Sequence, residues 1–300
     1  MSAESAHESP VAFVAKSAEN RIGVMQGRLS PRPPGKLQGF PWQSYAAEFP
    51  KAAQLGFHSI EWIFEAARFE ENPLWTEPGR EEIRELMATT GVKVQSVCAD
   101  YFMVHRLAGE SSLALSQNRD VLAELIAAAS AIGADRILLP LLETSALGTP
   151  ELEREAVLSL KSVAPLCERY GVTLGLEMEI AGAEYARLIE SVGSPRVRAY
   201  YDTGNSTAQG ADIAQDILPL LPLLLAVHIK DRVRGGGSKA LGTGDANFQG
   251  FFPALLRAGF RGDFVLQHYF DEQPELQAEQ SLSFVQQLLE SAKAEAASAS

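Results

Sequence analysis

The sequence is short of cysteine, of histidine and of positive charge. It has two cysteines, Cys98 and Cys167, in 300 residues. Neither lies in a C-x-x-C motif, which leaves no disulfide framework or thiolate metal site to build on and suits a reducing cytoplasm. Lys and Arg number 26 against 38 Asp and Glu, for a net charge of −12 and a pI near 5.0. That balance speaks against nucleic acid as a main partner, because phosphate binding needs a basic face. A small anionic substrate would have to rely on local Lys and Arg rather than on the overall field. No apolar run reaches 18 residues, so no membrane span is expected. The first 20 residues carry Glu4, His7 and Glu8 without a basic start or a long apolar core, so they do not read as a secretory signal. No G-x-G-x-x-G follows the first predicted strand, which weakens a dinucleotide-binding reading.

What the chain does have is enough apolar residue, 46%, for a large core, arranged in a regular alternation. Ile22–Met25, Ser59–Phe64, Val92–Cys98, Arg136–Leu139, Val172–Leu176, Val197–Tyr201, Leu224–Val227 and Phe264–Leu266 read as short strands. Between them, Ser44–Leu55, Pro78–Thr90, Asn118–Ile132, Pro150–Tyr170, Ala183–Val192, Asp212–Leu221, Phe248–Ala258 and Glu275–Ala294 read as helices. Gly56, Gly91, Gly133 and Gly171 each stop a helix before the next strand. Eight β-then-α units require parallel strands with right-handed crossovers and point to a closed (β/α)8 TIM barrel rather than an open sheet. A barrel of ~250 residues fits this length as a single domain. Residues 21–292 are assigned to it, with residues 1–20 and 293–300 as flexible tails.

In such barrels the chemistry sits at the C-terminal ends of the strands. Four consecutive predicted strands end in a potential metal ligand: Glu177, Asp202, His228 and Gln267, at intervals of 25, 26 and 39 residues. If the strands are parallel neighbours, the four side chains meet at one rim. Two carboxylates, an imidazole and an amide oxygen suit one hard or borderline divalent cation. Glu61 interrupts the apolar run of the second strand, where an unpaired carboxylate is costly and must face a site or a partner. Glu143 lies in the loop after the fourth strand. Lys230, Arg232 and Arg28 are candidates to hold a phosphate or carboxylate, and Asn205 to cap a helix or orient a rim residue. The glycines from 235 to 244 form either a lid or a plain solvent loop.

Glu177, Asp202-Thr203-Gly204-Asn205, His228-Ile229-Lys230-Asp231 and Leu266-Gln267 together resemble the xylose-isomerase-like TIM-barrel superfamily, most closely its sugar phosphate isomerase/epimerase group. Met25-Gln26-Gly27-Arg28-Leu29 and Ile60-Glu61-Trp62 are similar to that group too. The resemblance spans residues 21 to 290. It implies one divalent metal ion (Mn, Co, Mg or Zn) on Glu177, Asp202, His228 and the strand-eight residue. It also implies a small carbohydrate substrate, with a homo-oligomer allowed. The expected activity is isomerisation or epimerisation of a sugar, sugar phosphate or related hydroxyketone through a metal-stabilised enediolate. Glu177 is the expected base, Glu61 and Lys230 join it as catalytic candidates, and Gln26, Arg28, Glu143, Asn205 and Arg232 are expected at the substrate. One departure stands out. The ketose 3-epimerases of this superfamily carry a second basic glutamate on strand eight, whereas Gln267 cannot take a proton at neutral pH. An inosose-dehydratase-like lyase and a non-catalytic sugar-binding barrel are the alternatives. The abasic-site endonuclease branch is disfavoured, because it clusters three metals on more His and Asp than this chain supplies.

Overall fold

Every predicted strand forms, and the last pairs back onto the first. The computed structural model describes residues 20–32, 38–269 and 272–298. Its strands are β1 (Ile22–Met25), β2 (Ser59–Ile63), β3 (Lys93–Cys98), β4 (Arg136–Leu141), β5 (Thr173–Met178), β6 (Val197–Asp202), β7 (Leu224–Ile229) and β8 (Asp263–Leu266). They make one closed parallel barrel in which β8 sits between β7 and β1. Outside it lie α1 (Tyr45–Leu55), α2 (Glu77–Thr90), α3 (Ser112–Ala131), α4 (Pro150–Tyr170), α5 (Gly182–Val192), α6 (Thr203–Ala208), α7 (Phe248–Arg257) and α8 (Pro274–Ser298). Gly56 and Gly171 end α1 and α4 with φ of 90° and 71°, a left-handed geometry that costs any residue with a Cβ.

Three elements differ from expectation for local reasons. Helix α3 starts at Ser112 rather than Asn118, because the Ser111 hydroxyl accepts from the Ala114 amide and caps it. The helix expected over Asp212–Leu221 breaks into a single turn, Ile213–Asp216, and a 3-10 segment, Leu218–Leu223. Pro219 and Pro222 lack the amide hydrogens that a regular helix would need there. Helix α8 continues to Ser298, through most of the stretch expected as a flexible tail. The tail expected over residues 1–20 falls, but for Asn20, outside the described residues, as do Pro33, Pro34 and Gly35 of the first loop.

The two ends of the barrel are chemically distinct. At the N-terminal end Arg136 pairs with Asp263 at 3.0 Å and Asp135 at 2.8 Å, and Arg21 reaches Asp263 at 3.1 Å. This is a closed ionic layer in which each buried charge has a partner. At the C-terminal end the loop after β7 doubles back on itself. Asp231–Arg232 pairs antiparallel with Ser238–Lys239. The buried Asp231 carboxylate then collects the amides of Gly242, Gly244 and Ala246 at 2.9, 2.9 and 3.2 Å. The glycine-rich stretch is therefore a pinned loop. A Cβ on Gly244 would lie 2.3 Å from Asp231 Oδ1, so glycine is what allows the backbone to approach the carboxylate this closely. Among the described residues no helix is long and apolar enough to cross a membrane.

Candidate active site

Glu177 is the penultimate residue of β5, Asp202 the last of β6 and His228 the penultimate of β7. Asp202 and His228 are register partners across β6 and β7. All three side chains are buried, and one ligand atom from each lies within 4.8 Å of the others. The period-2 alternation of a strand thus places the three expected ligands on one interior rim.

His228 and Asp202 are each held by one atom and leave another without a partner. His228 Nε2 lies 2.5 Å from Glu61 Oε2, and Glu61 Oε1 accepts from the Tyr200 hydroxyl at 2.6 Å. With its proton on Nε2, the imidazole turns the Nδ1 lone pair away from Glu61. Nδ1 is buried with no hydrogen-bond partner, 3.9 Å from Asp202 Oδ2, which is likewise buried and unsatisfied. Asp202 Oδ1 is tied to the Asn205 amide at 2.8 Å, capping α6. Glu177 Oε1 accepts from Asn205 Nδ2 at 3.0 Å. Buried polar atoms without partners are rare. Two of them 3.9 Å apart, beside the buried Glu177 carboxylate, fit a cation, which would satisfy both.

The electrostatics agree. Burial, and then the neighbouring Asp202, push the Glu177 carboxyl up to about 8. Burial opposes charge on His228, but Glu61, with help from Glu177 and Asp202, outweighs it and raises the imidazole to about 8. Burial likewise opposes charge on Glu61, yet the facing imidazole and the bonds from Tyr200 and Ser96 hold it below the usual carboxylate range. A divalent cation would reverse the logic at Glu177 and His228 by favouring their deprotonated forms.

Glu61, a catalytic candidate that had to face either a site or a partner, meets partners. It lies wholly buried, with one oxygen on His228 and the other on the Tyr200 hydroxyl. The cationic candidates gather on Asn205. Its Oδ1 accepts from Lys230 Nζ at 3.3 Å and Arg232 Nη1 at 3.1 Å, and Lys230 Nζ is also 3.7 Å from Asp202 Oδ2. Gln267 follows β8 directly. Its Nε2 donates to Gln38 Oε1 at 3.0 Å and approaches Met25 Sδ at 3.4 Å, while Oε1 is buried without a partner. Arg28 is buried, donating from Nε to the His268 carbonyl at 3.0 Å and from Nη2 to Gln38 Oε1 at 3.2 Å. Gln26 is fully buried and accepts the Ile63 amide at 2.9 Å. Glu143 stands apart, exposed in the 3-10 turn after β4 with a φ of 50°.

Tyr200, Gln38 and Asp100 are the partners that sequence reasoning did not assign to the site. Tyr200 had a usable signal: it sits two residues before Asp202 on the same strand, so it shares the interior face. Its ring packs over Gly175, where a Cβ would come within 2.7 Å of it. Gln38 lies in an irregular loop with no periodicity to mark it.

A family model described as "Xylose isomerase-like TIM barrel" matches residues 49–288. The chain is 27% identical over 238 residues to the 2-epi-5-epi-valiolone 7-phosphate 2-epimerase of Actinoplanes sp., covering 78% of this chain and 82% of that one. It is 24% identical over 227 residues to the L-ribulose-5-phosphate 3-epimerase UlaE of Escherichia coli, covering 72% and 79%. Among solved structures, an L-ribulose 3-epimerase superposes with a TM-score of 0.74 at 20% identity, over 94% of this chain and 98% of that one. With the closed barrel and the Glu-Asp-His rim already in view, the match over residues 49–288 settles the family: this chain belongs to the xylose isomerase-like TIM barrels.

Proposed function

We propose that the chain is a divalent-metal-dependent isomerase or epimerase of a sugar, sugar phosphate or related small hydroxyketone. The observation that carries this reading is the buried trio Glu177, Asp202 and His228, with unsatisfied atoms on Asp202 and His228 turned toward each other. Glu177, Asp202 Oδ2, His228 Nδ1 and Gln267 Oε1 would hold the cation, which when bound supplies Lewis-acid polarisation of a substrate carbonyl. The names of the relatives, epimerases of sugar phosphates and sugar-like phosphates, support the substrate class.

In this reading Glu177 takes the proton from the carbon next to the carbonyl. Asn205 Nδ2 donates to its Oε1 and fixes the direction of the carboxylate. Glu61 acts through His228, holding Nε2 so that Nδ1 faces the site; it is a positioning residue and not a second proton donor. Lys230 and Arg232, gathered on the Asn205 oxygen, meet a phosphate or the negative oxygen that develops on the substrate. Gln26 and Arg28 shape the wall opposite, and Glu143, exposed in the turn after β4, is the remaining candidate to meet a substrate from outside. The two free, buried thiols fit a cytoplasmic setting.

Gln267 favours one variant of this chemistry. Strand eight offers no second carboxylate, so a reaction that needs one base, aldose–ketose isomerisation or loss of water from a ketose-like ring, sits more easily here than a symmetric two-base epimerisation. The test is a screen of ketoses and ketose phosphates for solvent deuterium exchange with Mn2+ present and absent. Exchange should require the metal and vanish in Glu177→Gln while that variant still binds sugar. Retained exchange in Glu177→Gln would remove Glu177 as the base, and absence of metal binding by the parent would remove the proposal.

A further inference from the structure

The orientation of the Gln267 amide decides whether strand eight offers an oxygen or an N–H2 to the rim. Arg28 settles it from a distance. A guanidinium carries only donors. The Gln38 atom that meets Arg28 Nη2 at 3.2 Å must therefore be the amide oxygen. Gln38 then turns its nitrogen to the opposite side, where it donates to Asp100 Oδ2 at 2.7 Å. The other Asp100 oxygen accepts from the Cys98 thiol at 3.2 Å. Because the Gln38 oxygen faces Gln267 as well, the Gln267 atom in contact with it, at 3.0 Å, must be nitrogen. The second amide hydrogen of Gln267 is directed at Met25 Sδ. By elimination Oε1 points away from this chain of bonds, and it is buried with no partner. The network borders the Glu-Asp-His trio: Val265, two residues before Gln267 and so on the same face, is the register partner of His228, and the Gln267 backbone amide donates to the Ile229 carbonyl at 3.1 Å.

We propose that Arg28, Gln38 and Asp100 are positioning residues that lock the Gln267 amide with its oxygen turned to the cation site. Strand eight thereby supplies a neutral oxygen ligand of fixed direction in place of a carboxylate. The inference rests on the metal-site reading above. It also accounts for the amide itself: a carboxylate at position 267 would set oxygen against the Gln38 oxygen that Arg28 holds in place.

The test is calorimetric titration of the full chain with Mn2+, with the melting temperature of each apo variant measured alongside. Removing a partner that orients a metal ligand weakens the metal by about 10–100-fold, so Gln38→Leu should fall in that range, and Gln267→Leu, which removes the ligand oxygen itself, should bind at least as weakly. The double variant should bind no more weakly than Gln267→Leu alone, because Gln38 acts only through Gln267. Asp100→Asn keeps an acceptor for the Gln38 nitrogen and should retain parent affinity, whereas Asp100→Leu should match Gln38→Leu. If Gln38→Leu does not fold, the contrast between Asp100→Asn and Asp100→Leu decides the same question. Parent-like Mn2+ binding in Gln38→Leu or Asp100→Leu, or losses that add in the double variant, would overturn the inference. Glu177→Gln separates the two levels. If it abolishes Mn2+ binding while Gln38→Leu does not, only the Gln267 lock fails; if neither matters, the metal site itself is wrong.

Discussion

Loading the rim with a cation should expel protons, and the number follows from the pocket. Glu177 sits at about 8 through burial and the neighbouring Asp202, and His228 at about 8 because Glu61 outweighs the burial that opposes its charge. A lone group of that pKa is about 90% protonated at pH 7. The two are coupled: an ionised Glu177 holds the proton on His228, and a charged His228 helps Glu177 ionise, so the pair loses its protons in two separated steps. Between one and two protons should therefore leave per ion at pH 7, and well under one at pH 9. The sign is fixed, because the cation takes only the deprotonated ligands. Affinity should rise with pH until about 8 and then level off. Between pH 7 and pH 6 it should drop by about 10- to 100-fold, the slope given by one to two protons. Titrating Mn2+ in two buffers of different ionisation enthalpy measures the proton count, and repeating it at pH 6, 7 and 9 measures the slope. No proton release at pH 7, with affinity flat from pH 6 to 8, would show that Glu177 and His228 are not the groups the ion displaces.

Three further perturbations probe parts of the same construction. Glu61→Gln should weaken Mn2+ by about 10–100-fold and cut the proton count at pH 7 by up to one, since the Glu61 carboxylate is what overcomes burial at His228; an unchanged count would detach Glu61 from the imidazole. Gly204→Ala puts a Cβ 2.6 Å from Lys230 Cγ, 2.9 Å from its Cβ and 3.0 Å from its Cδ, displacing the side chain and its ammonium from Asn205. Turnover on the identified substrate should fall by about 10–100-fold; full activity would remove Lys230 from the mechanism. Glu48, whose carboxylate accepts the Gly27 amide at 3.0 and 2.9 Å, is pushed up to about 7 by burial. A carboxyl raised above its unfolded value of 4.5 stabilises fully below that pH and loses its contribution as pH climbs through 7. The parent should lose up to about 3 kcal/mol from this group across that window, and Glu48→Gln should not. Urea unfolding at pH 4.5, 6 and 7.5 would refute the assignment if parent and variant track each other.

Much of the barrel was legible because two periodicities are hard to counterfeit. Short apolar runs that each end in a polar residue, separated by amphipathic stretches with a stopping glycine, fit few architectures besides parallel strands wrapped in helices. Strand parity then put Glu177, Asp202 and His228 on one face, and the same parity reaches Tyr200. What stayed hidden was whatever depends on the far wall of the cylinder. Glu61 was conspicuous as a carboxylate inside an apolar strand, yet nothing local says that its oxygens go to His228, 167 residues away, rather than to a substrate. Position 267 shows the same limit in reverse. An amide there reads as the loss of a base until Arg28, Gln38 and Asp100 are seen around it, 229 residues separating Gln38 from Gln267. The residue type of a ligand is a local fact. The direction in which it presents its lone pair is a property of the closed barrel, because only closure brings β8 beside β1 and the loop that carries Arg28 and Gln38. Variants that disturb this seam between β8 and β1 should therefore reach the metal before they reach the fold.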